Sequence, residues 1–182
     1  MLDLKIDYLK DTLLDNSVIW NQGEGETLTL PNGSISLKVT SGHTMDRLGI
    51  YEINLKPHTV GANLHYHRYM DEIFLVTEGT LTVMHGEQTN TVTAGGTVFV
   101  PRFTPHGFRN DSDKEVKLML IFNPAMQREG FFKGLKEILG EDPIDKTKFL
   151  RLYDKYDSIP VDKQSILPIN EQPITSNEPT NS

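Results

Sequence analysis

The sequence predicts an all-β protein, a barrel or sandwich of jelly-roll type, with an N-terminal arm before it and a short helical extension after it. Three observations predict it. About nine or ten short runs rich in β-branched and aromatic residues follow one another, separated by turn residues. Several alternate apolar and polar positions, as Tyr51, Ile53 and Leu55 do, which is the two-residue period of a strand with one buried face. The middle of the chain carries no helix-period segment.

Residues 1–24 form the expected arm. Leu2, Leu4, Ile6, Leu9, Leu13 and Leu14 give it apolar groups to pack on the barrel or on a second subunit. The barrel is expected over 25–123. Leu28 and Leu30 lead into Pro31-Asn32-Gly33 and then the alternating run from Ile35 to Val39, and Asn-Gly between such runs is a hairpin signal. Further strands are expected over 47–55, 65–67, 72–76, 80–85, 88–92, 97–100, 106–110 and 116–122. Gly79, Gly86 and Ala94-Gly95-Gly96 supply turns between them.

The pattern changes after the barrel, and 124–160 read as a helical extension. Asn123 is placed to cap a helix with Pro124 in its first turn. Met126, Phe131, Leu135, Ile138 and Leu139 then recur near helical spacing up to Gly140, with Gly130 and Gly134 weakening the helix. Asp142-Pro143 marks a second start, leading to Phe149, Leu152, Tyr153 and Tyr156. The polar tail over 161–182 is rich in Asn, Glu, Pro, Thr and Ser from about Pro168, a composition that buries no core and predicts disorder.

Composition excludes several roles. The 182 residues carry 18 basic and 25 acidic side chains, a net charge of −7, which disfavours nucleic acid or an anionic membrane as partner. There is no cysteine, so disulfides and thiol chemistry are excluded. No apolar run approaches the ~18 residues of a membrane span. Asp3, Lys5, Asp7, Lys10 and Asp11 interrupt the N-terminal leucines, so a signal peptide is not expected and a cytoplasmic location is.

The chemistry centres on 65–79. His65 and His67 share one face of a strand, and Glu72 opens the next one. His106 follows the Pro-rich turn 101–105. Three imidazoles and a carboxylate suit one divalent first-row ion per chain, Fe, Mn, Ni, Co or Zn, with coordination positions left for substrate. The other reading of such histidines is that they are satisfied core or surface groups, and His43, His58 and His85 are read that way. Tyr51, Phe74 and Phe108 are expected in the core or on a pocket wall. Arg47, Tyr69, Arg102 and Arg109 are candidate contacts to a small-molecule substrate.

These two stretches resemble the paired motifs of the cupin superfamily. His65, His67, Glu72 and Gly79 fit every spacing of the first motif, although Gly61 stands closer to His65 than the family's glycine does. Gly95, Pro101, His106 and Asn110 fit the second, with Phe103 where the family has its inner glycine. The motif pair occurs once, so the resemblance is to a single-domain monocupin. Pro124 and Gly130-Phe131-Phe132 are similar to the tail of bacterial quercetin 2,3-dioxygenase-like cupins, whereas Met45-Asp46 stand where small residues are expected.

The resemblance implies a cupin jelly roll and a metal-dependent dioxygenase acting on an enol, catechol or flavonol-like compound. It also implies that Glu72 serves both as ligand and as catalytic base. Two alternatives stand beside it: an isomerase of a sugar or small carbonyl compound, with or without a metal, and a non-catalytic small-molecule binding module. Oxygen uptake separates the first from the others. Cupins commonly pair, and with the apolar arm this implies a homodimer. Light scattering at micromolar concentration is expected to give about twice the chain mass of 20.6 kDa, and a monomer mass throughout would reject the dimer.

Overall fold

The computed structural model describes residues 16–162. Apolar arm residues Leu2 to Leu14 and the tail from Pro168 lie outside the described residues, as does the dimer contact expected of the arm. The strands are β1 (Glu26–Leu30), β2 (Gly33–Val39), β3 (Gly49–Leu55), β4 (Thr59–Tyr66), β5 (Asp71–Glu78), β6 (Thr80–His85), β7 (Gln88–Thr93), β8 (Thr97–Val100), β9 (His106–Asn110), β10 (Val116–Asn123) and β11 (Ile159–Pro160). The helices are α1 (Ser41–Thr44), α2 (Arg128–Leu139) and α3 (Lys146–Lys155).

The strands form two sheets, ordered β1-β2-β3-β10-β5-β8 and β11-β4-β9-β6-β7. Every pairing is antiparallel. Strands distant in sequence are neighbours in each sheet, as in β3 beside β10 and β4 beside β9, and this is the expected jelly roll. The inward faces bury Tyr51, Ile53, Phe74, Leu118 and Leu120 from one sheet and Leu81, Val83 and Phe108 from the other. Their alternation with less buried neighbours is the period that made β3, β5 and β10 legible. No described helix is long and apolar enough to cross a membrane.

The edges of the elements differ from expectation in ways that matter for the site. β4 begins at Thr59, six residues before the expected start, and ends at Tyr66, so His67 stands one residue beyond it. The first helix of the extension starts at Arg128 rather than at Pro124. Asn123 is the last residue of β10, and its side chain donates to the Arg47 carbonyl (2.8 Å) instead of capping a helix. Met126 and Gln127 then turn through left-handed backbone before α2 begins. The second helix is capped by Asp145, not Asp142: its side chain accepts from the Thr147 and Lys148 amides. Strand β11 was not expected. Its two residues pair with His65 and Tyr66, so the extension ends against the edge of β4.

The extension packs on the barrel through Phe131, Phe132 and Leu135 of α2 and through Phe149 and Tyr153 of α3. Glu129 fixes α2 to the barrel by accepting from Tyr51 Oη (2.9 Å) and from Ser41 Oγ. The glycines that weaken α2 as an isolated helix are what let α3 approach. A Cβ on Gly130 would stand 2.3 Å from Tyr156 Oη and 2.9 Å from its Cζ. Gly130→Ala is therefore expected to lower stability by roughly 1–3 kcal/mol through overpacking, despite alanine's higher helix propensity. Thermal unfolding measures this, and a raised midpoint would show that the two helices do not meet this closely.

Candidate metal centre

His65 leaves β4 pointing inward and is paired in register with His106 at the start of β9. His67 follows β4, and Glu72 comes from β5 in the facing sheet. The site therefore bridges the two sheets. All four residues are buried, the most exposed being His65 at 3%. One ligand atom from each lies within 4.8 Å of the others. Glu72 Oε2 is 3.0 Å from His67 Nε2 and 2.7 Å from His106 Nε2. The imidazole of His65 lies 4.9 Å from that of His67 and 4.5 Å from that of His106, centroid to centroid.

Backbone carbonyls set the orientation of the rings. His65 Nδ1 donates to Asn63 O (2.8 Å), His106 Nδ1 to Thr104 O (2.9 Å), and His67 Nδ1 to Asp157 O. A carbonyl only accepts, so each Nδ1 carries the proton. Each Nε2 is left to face the centre, the tautomer and direction a metal-binding histidine needs. That donor set fits a divalent first-row ion held by three imidazole nitrogens and one carboxylate oxygen.

Charge follows the same geometry. Burial works against ionised Glu72, but the charge and hydrogen bonds of His106 and His67 outweigh it and hold the carboxyl well below its usual range. Burial, then His106 and His67, pushes the pKa of His65 well down. His67 is also lowered, chiefly by burial. Burial opposes charge on His106 too, yet Glu72 beside it raises its pKa. The Glu72 carboxylate and neutral His65 and His67 are in the forms that bind a metal ion, whereas the proton that Glu72 favours on His106 has to leave when an ion binds.

Residues 51–122 match the family model described as the cupin domain. The barrel has the cupin jelly-roll fold. Its similarity to solved structures is distant. The protein TT1209 from Thermus thermophilus is 23% identical with a TM-score of 0.50, the match covering 59% of this chain and 98% of that one. A sugar phosphate isomerase of the cupin superfamily from Silicibacter pomeroyi DSS-3 is 21% identical with a TM-score of 0.47, the match covering 52% of this chain. The chain spans only 60% of that isomerase's length. A predicted oxalate decarboxylase from Thermotoga maritima is 14% identical with a TM-score of 0.49, over 54% of this chain and 90% of that one. No curated protein matches the chain.

Two positions in the cupin-like motifs are structural. Asn110 Nδ2 donates to the carbonyls of Leu55, Lys56 and Lys114 and ties three segments together. Phe103, at the inner-glycine position, adopts the left-handed φ of 64° that a glycine would take freely. Its amide donates to His67 O (2.7 Å), so the turn geometry of the motif is retained without the glycine.

A cavity of about 50 Å³ adjoins the centre on the side closed by the extension. His65, Glu72, Phe108, Phe131, Arg128 and Tyr153 are among its walls. Of the seven residues expected in the core, on a pocket wall or as substrate contacts, Phe108 lines this cavity. Phe74 sits behind the site, its ring 6.3 Å from that of His106, and Tyr51 is turned to Glu129. Arg47 is exposed, with Nε on the Thr44 carbonyl, and Tyr69 is 57% exposed at the surface. Arg102 pairs with Asp71 and Arg109 with Asp111. His43 is bonded within its own turn, His58 with Asp113, and His85 with Asn90.

Sequence reasoning missed Arg128, Tyr153 and the carbonyl of Asp157. A backbone carbonyl leaves no trace in side-chain identity. Arg128, however, shares the spacing i, i+3, i+4, i+7 with Phe131, Phe132 and Leu135, so a charge on the apolar face of α2 was there to be read. His106→Ala is expected to lose most bound metal, whereas His43→Ala keeps it. Elemental analysis of the dialysed proteins reads this, and equal occupancy in the two would contradict the ligand assignment.

Proposed function

We propose that this cupin is a metal-dependent dioxygenase acting on a compact enol or catechol-type substrate. The observation that carries the reading is the partly closed, largely apolar cavity that Glu72 and His65 help to line. Ile53, Phe108, Leu120, Phe131 and Phe132 form most of its wall. An apolar chamber admits dioxygen and excludes water from the reacting atoms. At about 50 Å³ it is also far smaller than the ~300 Å³ at the lower end for drug-sized ligands, which disfavours a three-ring flavonol.

A bound divalent ion would be held by His65, His67, Glu72 and His106, and would supply Lewis acidity and a place for substrate oxygen beside dioxygen. The chain's own residues do the rest. The three carbonyl-bonded imidazoles hold the ligand geometry. Glu72, ionised at neutral pH, is in the form that accepts a proton from a substrate hydroxyl. Helices α2 and α3 close the chamber, and Phe108 and Phe131 bound the space in which a flat substrate would lie.

Oxygen-electrode assays of protein loaded in turn with Fe, Mn, Ni and Co test the reading, with catechols and 1,3-diketones as substrates. Uptake with at least one pair is expected. Glu72→Gln is expected to lower turnover by roughly 10² or more. Metal content is measured alongside, since Glu72→Gln that keeps its metal and full oxygen uptake would refute the base assignment. Silence with every metal and substrate would move the reading to isomerase or binding module.

A further inference from the structure

Arg128 is a buried cation, 4% exposed, that begins α2 and lines the cavity also lined by His65 and Glu72. Both of its hydrogen bonds leave from Nη1, to Tyr156 O (3.0 Å) and Ser158 Oγ (2.8 Å). Nε is buried without a hydrogen-bond partner. Among the described residues no carboxylate lies within ion-pair distance of the guanidinium. Its face stacks on Phe131, with Cζ 3.8 Å from the ring centroid, and it lies 4.8 Å from the ring of Phe122. Aromatic contacts hold the plane in place without satisfying its in-plane N–H groups. A guanidinium has five such donors, and leaving them unpaired in a buried site is costly.

The fork is therefore fixed in orientation, buried and short of acceptors, and it lines the same cavity as His65 and Glu72. A planar anion is the ligand that such a fork recognises, through charge-assisted bonds that outlast those of any neutral oxygen. Tyr153 lines the same cavity from α3, its ring 6.2 Å from that of His65. Burial keeps its phenol protonated, with a pKa pushed up to about 12, so it is a second donor on that wall. Both residues come from the helical extension, outside the stretch 51–122 that matches the cupin family model.

We propose that Arg128 is an anion-anchoring residue of this pocket and that the substrate class is a small carboxylic acid. Its carboxylate sits on the guanidinium while its oxygen donor turns to the metal centre. The assignment rests on the reading that this cavity takes the substrate, and it makes the extension a specificity element as well as a cover.

The test uses two probes of nearly equal shape, acetoacetate and acetylacetone, which differ by a carboxylate oxygen in place of a methyl group. Affinities are measured by calorimetry on the full-length protein loaded with Co(II). Wild type is expected to bind acetoacetate roughly 10-fold or more tightly than acetylacetone. Arg128→Gln is expected to remove that preference and leave acetylacetone binding within about twofold. Arg128→Lys keeps a cation near Ser158 but has no donor at the Nε position, so it is expected to lose part of the preference even if Arg128→Gln fails to fold. Ser158→Ala, which removes only a bond to Nη1, is expected to retain it. Equal affinities in wild type, binding of neither probe, or the same loss for both probes in the Arg128 variants would overturn the assignment. Carboxylate preference without oxygen uptake would sink the dioxygenase reading and leave Arg128 in its role.

Discussion

The centre depends on three hydrogen bonds from imidazole Nδ1 to backbone carbonyls. Asn63, Thr104 and Asp157 provide the acceptors, one near the end of β4, one just before β9 and one beyond α3. Each fixes a tautomer and a ring direction together, so three Nε2 atoms meet around Glu72. The jelly roll makes this convergence available, because β4 and β9 are paired while β5 faces them from the other sheet. The Asp157 bond makes the extension part of the centre. The same residue's carboxylate accepts from the amides of Arg68 and Tyr69, holding the segment that follows His67.

Burial sharpens the electrostatics. Glu72 is the carboxylate of the four-residue cluster, and Arg128 lines the same cavity as a second cation besides His106. In a medium that screens poorly, these charges interact strongly but carry a desolvation cost. Such an arrangement is a weak way to stabilise a barrel that already has Phe74, Leu118 and Leu120 in its core. It is suited to binding something that completes it: a metal at the four ligands and, on our proposal, an anion at Arg128.

Most of the barrel was legible because side-chain alternation is a local signal. Tyr51, Ile53 and Leu55 announce the buried face of β3, and Pro31-Asn32-Gly33 announces the turn before β2. His65, His67 and Glu72 were legible by spacing, and His106 by its second motif. The ends of the helices were not. Asn123 has the sequence context of a cap, but its side chain bonds the Arg47 carbonyl, 76 positions away in sequence. The pocket was mostly illegible too: Tyr51 and Phe74 are inward-facing as alternation implies, but which inward residues border a void depends on where α2 and α3 dock. Arg128 shows the limit most clearly, since its spacing marked it as buried while nothing local showed what it faced.

X-ray absorption of the Co(II)-loaded protein tests the central claim most directly. Three imidazole nitrogens and one carboxylate oxygen at about 2.0–2.2 Å, with outer-shell scattering from three rings, are the expected result. The outer-shell signal should fall by one ring in His106→Ala and stay unchanged in His43→Ala. A first shell of oxygens alone, or a ring count unmoved by His106→Ala, would contradict the site.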